Sequence, residues 1–199
     1  MTLDPRQGEI HRRLRLIGPG PAIYFQTAAG LIAAEPPLDA ATHLAAHCIR
    51  ECESGVRAVL LPMISEARRA EIERMQEGKH AEWIHECAAV LGIDDRLRAA
   101  WQATFVRRAH RWASRDALVA PRPLDDEFRR WWEDVQDVLA DLAAAFRAVY
   151  LESRDLIDEL AAKEQPTGKT QNASRPRPPR SWPADRARLQ RREPRCRGR

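Results

Sequence analysis

The chain of 199 residues has few cysteines, little lysine and no long apolar run. Its four cysteines are Cys48, Cys52, Cys87 and Cys196, and no two of them form a C-x-x-C pair. Because most of them also lie in helical patterns, a disulfide framework is not expected. The sequence predicts reduced thiols that are buried in the core.

A membrane span and a secretory signal are missing as well. No stretch approaches the roughly 18 apolar residues that a membrane-spanning helix needs. The N-terminal segment MTLDPRQGEIHRRLRL has no apolar centre of the kind found in signal peptides. We therefore expect a cytoplasmic protein that does not associate with a membrane.

The common motifs of enzymes and cofactor sites are also absent. Gly18-Pro19-Gly20-Pro21 lacks the Lys and the Ser or Thr that follow the glycines of a phosphate-binding loop, and its prolines remove amide donors. No G-x-S-x-G motif and no paired-carboxylate signature appear. We predict no cofactor and no bound metal, and we interpret the Gly-Pro segment as a turn.

What the chain does contain is a long apolar seam near its C-terminal end. Its members alternate at steps of three and four residues: Trp132, Val135, Leu139, Leu142, Phe146, Val149, Ser153, Leu156 and Leu160. This spacing places them on one face of a helix. The pattern predicts a helix that is capped by Asp125 and runs to about Lys163, and it predicts an all-α fold class.

The width of that seam distinguishes between two helical architectures. A two-stranded coiled coil needs a narrow stripe. This stripe is widened on both flanks by further apolar residues: Trp131, Val138, Ala145, Tyr150 and Ile157. The sequence therefore favours a multi-helix bundle in which the long helix is the spine and its distal half projects to meet a partner.

Shorter helices are expected before the spine. They cover roughly residues 5–17, 22–34 and 39–61, with a fourth that ends at Gly92 and a fifth from Asp94 or Asp95 to about Ala120. Asp39 is the expected N-cap of the third helix. Residues 63–79 are highly charged and weakly patterned, which is compatible with a surface helix or with a mobile connector.

Charge divides the chain into two parts. Residues 1–165 carry 22 Lys and Arg against 27 Asp and Glu, a net charge of −5, whereas residues 166–199 carry 11 against 2, a net charge of +9. We predict a helical domain over 1–165 and a disordered tail over 166–199. Such a tail is suited to nucleic-acid binding through phosphate contacts. The alternative is a frameshift or truncation product, because Arg, Pro and Gly dominate the other reading frames of GC-rich genes.

Two histidines stand one helical turn apart, and that spacing could chelate a metal. His43 and His47 lack the Glu of an H-E-x-x-H motif. A helical wheel places both imidazoles on the polar face with Arg50 and Ser54, away from an apolar stripe formed by Leu44, Cys48, Cys52 and Val59. We interpret the histidines as a solvated or locally hydrogen-bonded pair, and the two cysteines as core residues.

A ribonuclease of the HEPN type is the alternative enzymatic interpretation. Its motif places His four to six residues after Arg, and only Arg6 with His11 and Arg74 with His80 match. Two matches are no more than chance gives among 30 arginines. The candidate catalytic residues are His43, His47, His110 and Arg107, the last two from the run Arg107-Arg108-Ala109-His110, whose spacing is short for the motif.

One further cluster matches no ligand spacing. His80, His85 and Cys87 form the pattern H-x-x-x-x-H-x-C, to which we assign no function.

In the fifth predicted helix, the stripe of Leu97, Trp101, Phe105 and Trp112 places Arg107, His110 and Ser114 on the solvent side.

Three segments carry a resemblance to known proteins: LRLIGPGPAIYF, THLAAHCIRECESGVRAVLLP and RRAHRWASRDALVAPRPLDDEFRRWWEDV. They resemble the opening region of large, helix-rich actinobacterial proteins of unknown activity, over roughly residues 11–167. The resemblance implies the N-terminal part of a larger protein, and it ends at Pro166-Thr167, where the composition changes. It supplies no catalytic residues, although its segments contain His43, His47, Arg50, Glu51 and His110.

These observations predict a non-enzymatic helical interaction or scaffolding module. The expected partner is a protein, or a second copy of the chain, that docks on the distal part of the long helix at Val149, Leu156, Ile157 and Leu160. The alternative is a HEPN-like ribonuclease or a defence-associated RNA-binding helical domain.

Overall fold

The computed structural model describes residues 3–113 and 122–164, with the backbone alone for His110 and for residues 154–164. Within these ranges every regular element is helical and none is a strand, so the predicted all-α fold class is confirmed. The α-helices are α1 Pro5–Ile17, α2 Pro19–Ile32, α3 Ala41–Leu60, α4 Glu66–Arg74, α5 Lys79–Leu91, α6 Asp95–Trp101, α7 Ala109–Ala113 and α8 Asp126–Glu164. A 3₁₀ turn, Leu61–Met63, follows α3, and a π-helical segment, Gln102–Arg108, joins α6 to α7.

Four helices begin after a residue whose side chain caps them, and these include the predicted caps Asp94 and Asp125. Asp4, Ser65, Asp94 and Asp125 each accept a hydrogen bond from the backbone amide three residues on. Gly92, at a φ of 62°, ends α5 in the left-handed conformation that favours glycine. The third helix is an exception: its N-cap is Ala40, which makes no side-chain cap, so the prediction for Asp39 was wrong. A turn in which the Ala41 amide bonds the Leu38 carbonyl delays the helix start.

The interpretation of the Gly-Pro segment as a turn was also wrong. Gly18 alone separates α1 from α2, and Pro19 is already the first helical residue. Proline fits there because its fixed φ suits a helix and its missing amide hydrogen would have no intrahelical partner. The second helix therefore covers 19–32 instead of 22–34.

The largest interface of the bundle joins α2 and α3. At Gly55 a Cβ would stand 2.9 Å from Cγ of Pro21, so the two helices approach more closely there than any side chain at 55 allows. Small buried residues in α3, including Ala45 and Ala46, fit the same close packing.

The charged segment 63–79 contains the short helix α4, which is tied to α5 by one guanidinium. Nε of Arg68 lies 2.7 Å from Glu86 and Nη1 lies 2.8 Å from Glu71, while Nη2 bonds Glu82. Ile72 supplies the single fully buried apolar side chain of α4. The segment is thus a surface helix held mainly by ion pairs.

The long helix α8 packs against the shorter helices of the bundle. Phe25 of α2 stacks on Trp132 at 5.4 Å, and Phe128 meets both Trp112 and Trp131 edge to face between α7 and α8. Ion pairs from Arg6 and Arg108 reach Asp137 and Asp134 on the same helix. These contacts explain why the seam residues from Trp132 to Leu142 are buried.

Burial decreases along the described side chains of α8. Phe146 is the last of its residues in the core and Val149 is half-buried against it. Tyr150 and Leu151 are 51% and 40% exposed. The side chains of Leu156, Ile157 and Leu160 and the whole predicted tail lie outside the described residues. No described helix has the length and apolar character needed to cross a membrane.

Candidate functional site

A buried carboxylate, Glu53, is the centre of the most elaborate polar cluster in the described part of the chain. It lies on α3 in line with Ile49, Val56 and Leu60, which are all buried, and only 2% of its side chain is exposed. Burying an unpaired carboxylate is very costly, so its partners decide whether it can remain ionised.

Three donors from three elements surround this carboxylate. Nε of Arg57, one turn further along α3, lies 2.7 Å from Oε1. Nε1 of Trp101, at the end of α6, donates to the same oxygen at 3.1 Å. Nε2 of His80, in the first turn of α5, lies 3.4 Å from Oε1 in a longer hydrogen-bond contact and 3.3 Å from Oε2. The three hydrogen-bond contacts therefore converge on Oε1.

These contacts determine the ionisation of Glu53. Burial by itself raises its pKa, but the hydrogen bond with His80 and the charge and hydrogen bond of Arg57 together outweigh burial. The net effect is a pKa below the ordinary value of a glutamate. The carboxylate is consequently ionised at neutral pH in spite of its burial.

A small pocket opens beside this cluster. It has a volume of about 140 Å³, and its wall is formed by Arg50, Glu51, Glu53, Ser54, Arg57, His80 and Phe105. Five of these residues come from two successive turns of α3, while α5 and the π-helical segment supply one each. The wall is mostly polar, with Phe105 as its aromatic side.

The pocket offers donors more than acceptors. Glu53 already receives three contacts on its Oε1, and Glu51 is exposed at the rim. Among the described residues Arg50 makes no hydrogen bond or ion pair, and Arg57 uses only its Nε. No group of three or more His, Cys, Asp or Glu suited to a metal occurs within 3–113 and 122–164. Chemically, this arrangement suits an anion.

The π-helical segment Gln102–Arg108 contributes to the architecture of the pocket. π-helical turns are rare and frequently accompany functional sites. Here the carbonyl of Thr104 accepts both the amide of Ala109 and Nε1 of Trp131, the latter at 3.2 Å. Trp101, just before the segment, and Phe105, within it, both reach the pocket region.

His43 and His47 do form a pair, but not on a solvated polar face. Their rings meet edge to face with centroids 4.6 Å apart, and both are half-buried. The predicted apolar stripe is displaced as well, since Leu44 is 42% exposed and Cys48 half-buried. The helix turns Ala45, Ile49 and Glu53 inward because α2 and α7 pack against it.

The remaining sequence candidates do not converge on the pocket. Arg107 is exposed, as predicted, and the side chain of His110 lies outside the described residues, as does Ser114. His85 bonds Arg98 through Nδ1 at 2.6 Å. Of His80, His85 and Cys87, only His80 lines the pocket.

The thiols are unsuited to catalysis. Burial raises the pKa of Cys48 and Cys52, and it raises that of Cys87 to about 12. Thiols with a raised pKa hold little of the reactive thiolate. The three described cysteines are free, in agreement with the prediction of reduced thiols, and two of them are buried.

A second and larger cleft lies between α6 and α8. Its volume is about 550 Å³, and Asp94, Asp137 and Asp141 lie along it beside Leu97 and Val138. Asp137 already pairs with Arg6. The cleft has no comparable convergence of polar groups, so the Glu53 pocket is the better candidate site.

Comparisons with known proteins add no relative to these observations: no family model, curated protein or solved structure matches the chain. The resemblance to large actinobacterial proteins therefore stays a prediction. The site rests on its geometry, and Glu53, Trp101 and Ser54 are members that the search for catalytic motifs missed. The sequence did contain a signal for Glu53, because this acidic residue lies on the same helix face as the apolar residues Ile49, Val56 and Leu60.

Proposed function

We propose that this chain is a non-enzymatic α-helical interaction module that self-associates through the distal half of α8. The observation that supports the proposal is the change in burial along one helix. Among the side chains of α8 that the structure describes, Phe146 and Val149 are the last that pack against the core, and Tyr150 and Leu151 after them are exposed. The apolar seam nevertheless continues in the sequence to Leu160.

A second copy of the chain is the partner that fits this pattern most simply. A seam repeated at steps of three and four residues packs against an identical seam, and two-fold pairing uses the same surface on both subunits. The partner residues proposed from the sequence are Val149, Leu156, Ile157 and Leu160. Since Val149 is half-buried in its own bundle, Tyr150 and Leu151 extend the proposed surface.

Light scattering of the full chain over a range of concentrations tests the proposal. We expect the mass to rise toward that of a dimer, and we expect the double change Leu156→Ser and Leu160→Ser to return it to that of a monomer. Tyr150→Ser should weaken the association. Leu44→Ser, which makes a similar change at an exposed position of α3, is the matched control and should leave the mass unchanged. A monomer at high micromolar concentration contradicts self-association.

A HEPN-like ribonuclease is a second candidate that one observation favours. His80 belongs to one of the two Arg-His windows of the sequence, and it lines the pocket beside Arg50 and Arg57. If the chain cleaves RNA there, His80→Asn should abolish cleavage while the circular dichroism spectrum is retained. His85→Asn is the matched control, because His85 lies on the same helix outside the pocket. Cleavage that survives His80→Asn excludes this function for the pocket.

A further inference from the structure

We infer that the pocket beside Glu53 binds the phosphate group of a small ligand, either free phosphate or a phosphate monoester. The inference is independent of the proposed self-association through α8. It rests on the convergence of Arg50, Arg57, His80 and Ser54 in one cavity.

The charge of the pocket wall favours an anion of modest charge. Glu53 accepts from Arg57 and Trp101 and contacts His80, so its negative charge is already shared among protein donors. The negative charge of Glu53 also balances the positive charge of one of the two guanidinium groups, that of Arg57. Arg50, which is half-buried, then supplies the second guanidinium of the wall, and Glu51, which also lines the pocket, balances it only from the exposed rim.

The donors also have suitable geometry. Arg57 is fixed by its Nε contact with Glu53, which leaves its two terminal nitrogens without a hydrogen-bond partner among the described residues. A guanidinium whose planar edge is held in place is well suited to the oxygens of a phosphate. The hydroxyl of Ser54, one turn after Arg50 and one turn before Arg57, adds a neutral donor on the same helix face.

The size of the cavity limits what can enter. A volume of about 140 Å³ accommodates a phosphate group but not a nucleoside as well. If the phosphate belongs to a larger molecule, the remainder must extend past the rim near Glu51. Phe105 forms an aromatic wall on the side of the π-helical segment, where a base or sugar leaving the pocket can make contact.

Isothermal titration calorimetry on the full chain tests the inference with three probes: inorganic phosphate, adenosine monophosphate and acetate. We expect phosphate to bind and Arg50→Gln to weaken its binding by about tenfold or more, the loss of one charged hydrogen-bond partner. Arg50→Gln should fold normally because Arg50 has no protein partner in the described part of the chain. Arg129→Gln is the control, since Arg129 is exposed on α8 and should leave binding unchanged.

The outcomes separate the possible ligands. Tighter binding of adenosine monophosphate than of phosphate supports a nucleotide monoester, and binding of phosphate alone supports the free ion. The inference is overturned if no probe binds, if acetate binds as tightly as phosphate, or if Arg50→Gln binds as well as the unchanged chain. Because the readout is heat of binding, loss of dimerisation in the light-scattering experiment does not affect this result.

Discussion

Two ionic clusters of this protein are built on the same plan with opposite signs. Glu53 is one carboxylate surrounded by three donors, and Arg68 is one guanidinium surrounded by three carboxylates. They differ in burial, since 2% of the Glu53 side chain is exposed against 28% for Arg68. A buried charge has lost its hydration and depends on its protein partners, whereas a charge at the surface can replace them with water.

The difference matters for function as well as stability. The Glu53 cluster joins α3, α5 and α6 inside the bundle and fixes the orientation of Arg57 and His80 at the pocket. The Arg68 cluster only fastens α4 to α5. Changes at the first cluster should therefore affect both unfolding and ligand binding, and changes at the second should affect unfolding alone.

The largest expected effect is that of Glu53→Gln. Losing the buried negative charge leaves Arg57 without its counterion, and we expect the free energy of unfolding in urea to fall by about 3 kcal/mol. Glu51→Gln, two residues away but exposed, is the matched control and should change stability by less than about 0.5 kcal/mol. If both variants lose the same free energy of unfolding, the difference in burial between Glu53 and Glu51 does not affect stability.

A smaller effect is expected when one donor to Glu53 is removed. Trp101→Phe deletes the indole donor, and Trp131→Phe deletes a donor whose acceptor is the neutral carbonyl of Thr104. Both tryptophans are fully buried. Combining each change with Glu53→Gln should reveal a coupling energy of about 1.5 kcal/mol for Trp101 and almost none for Trp131. Additive behaviour of the Trp101 pair would rule out a contribution from the negative charge of Glu53 to this hydrogen bond, since glutamine keeps an acceptor oxygen.

Arg68→Met should cost less than Glu53→Gln, because the partners of Arg68 remain hydrated at the surface. Thermal unfolding at low and high salt provides the measurement. Salt should reduce the difference between Arg68→Met and the unchanged chain, since exposed charges are screened. Lys79→Met serves as the control, because Lys79 makes one ion pair, with Glu73, whereas Arg68 makes three. A cost as large as that of Glu53→Gln would contradict the comparison.

The smallest effect on stability is expected from the protonation of Glu53 in acid. Because the folded-state pKa of Glu53 is lowered, its ionised form stabilises the fold above the ordinary pKa of about 4.5, and this contribution is lost as the pH falls through the lower folded-state value. Unfolding in urea, repeated from pH 6 to acid, should show a steeper loss of stability below about pH 4.5 in the unchanged chain than in Glu53→Gln. Parallel curves for the two proteins would indicate that Glu53 does not titrate as inferred.

Much of the architecture could be predicted because it follows from local rules. The seam from Trp132 onward has the periodicity of a helix, and Asp94 and Asp125 have the side chains that cap one. The inward face of α6 also followed from spacing, with Trp101 buried as expected. The wrong predictions at Pro19 and Asp39 both concern the residue at which a helix begins. There, a shift of one or two residues is enough to change the assignment.

The site could not be predicted to the same extent. Which face of α3 is buried depends on α2 and α7, and the stripe chosen from the sequence included the exposed Leu44 while it omitted Glu53. His80 meets Glu53 across 27 residues of chain, a contact that no local pattern encodes. The π-helical segment at Phe105 likewise has no sequence signature as simple as a cap or a heptad.

Gly55 has a consequence for the tolerance of this protein to variation. The residue is only half-buried, and positions of that kind usually accept many side chains. Here even alanine would meet the ring of Pro21, which is rigid and cannot swing aside as a long side chain would. A missense change at codon 55 is therefore expected to separate the two helices that share the largest interface, although solvent accessibility alone would rank the position as harmless.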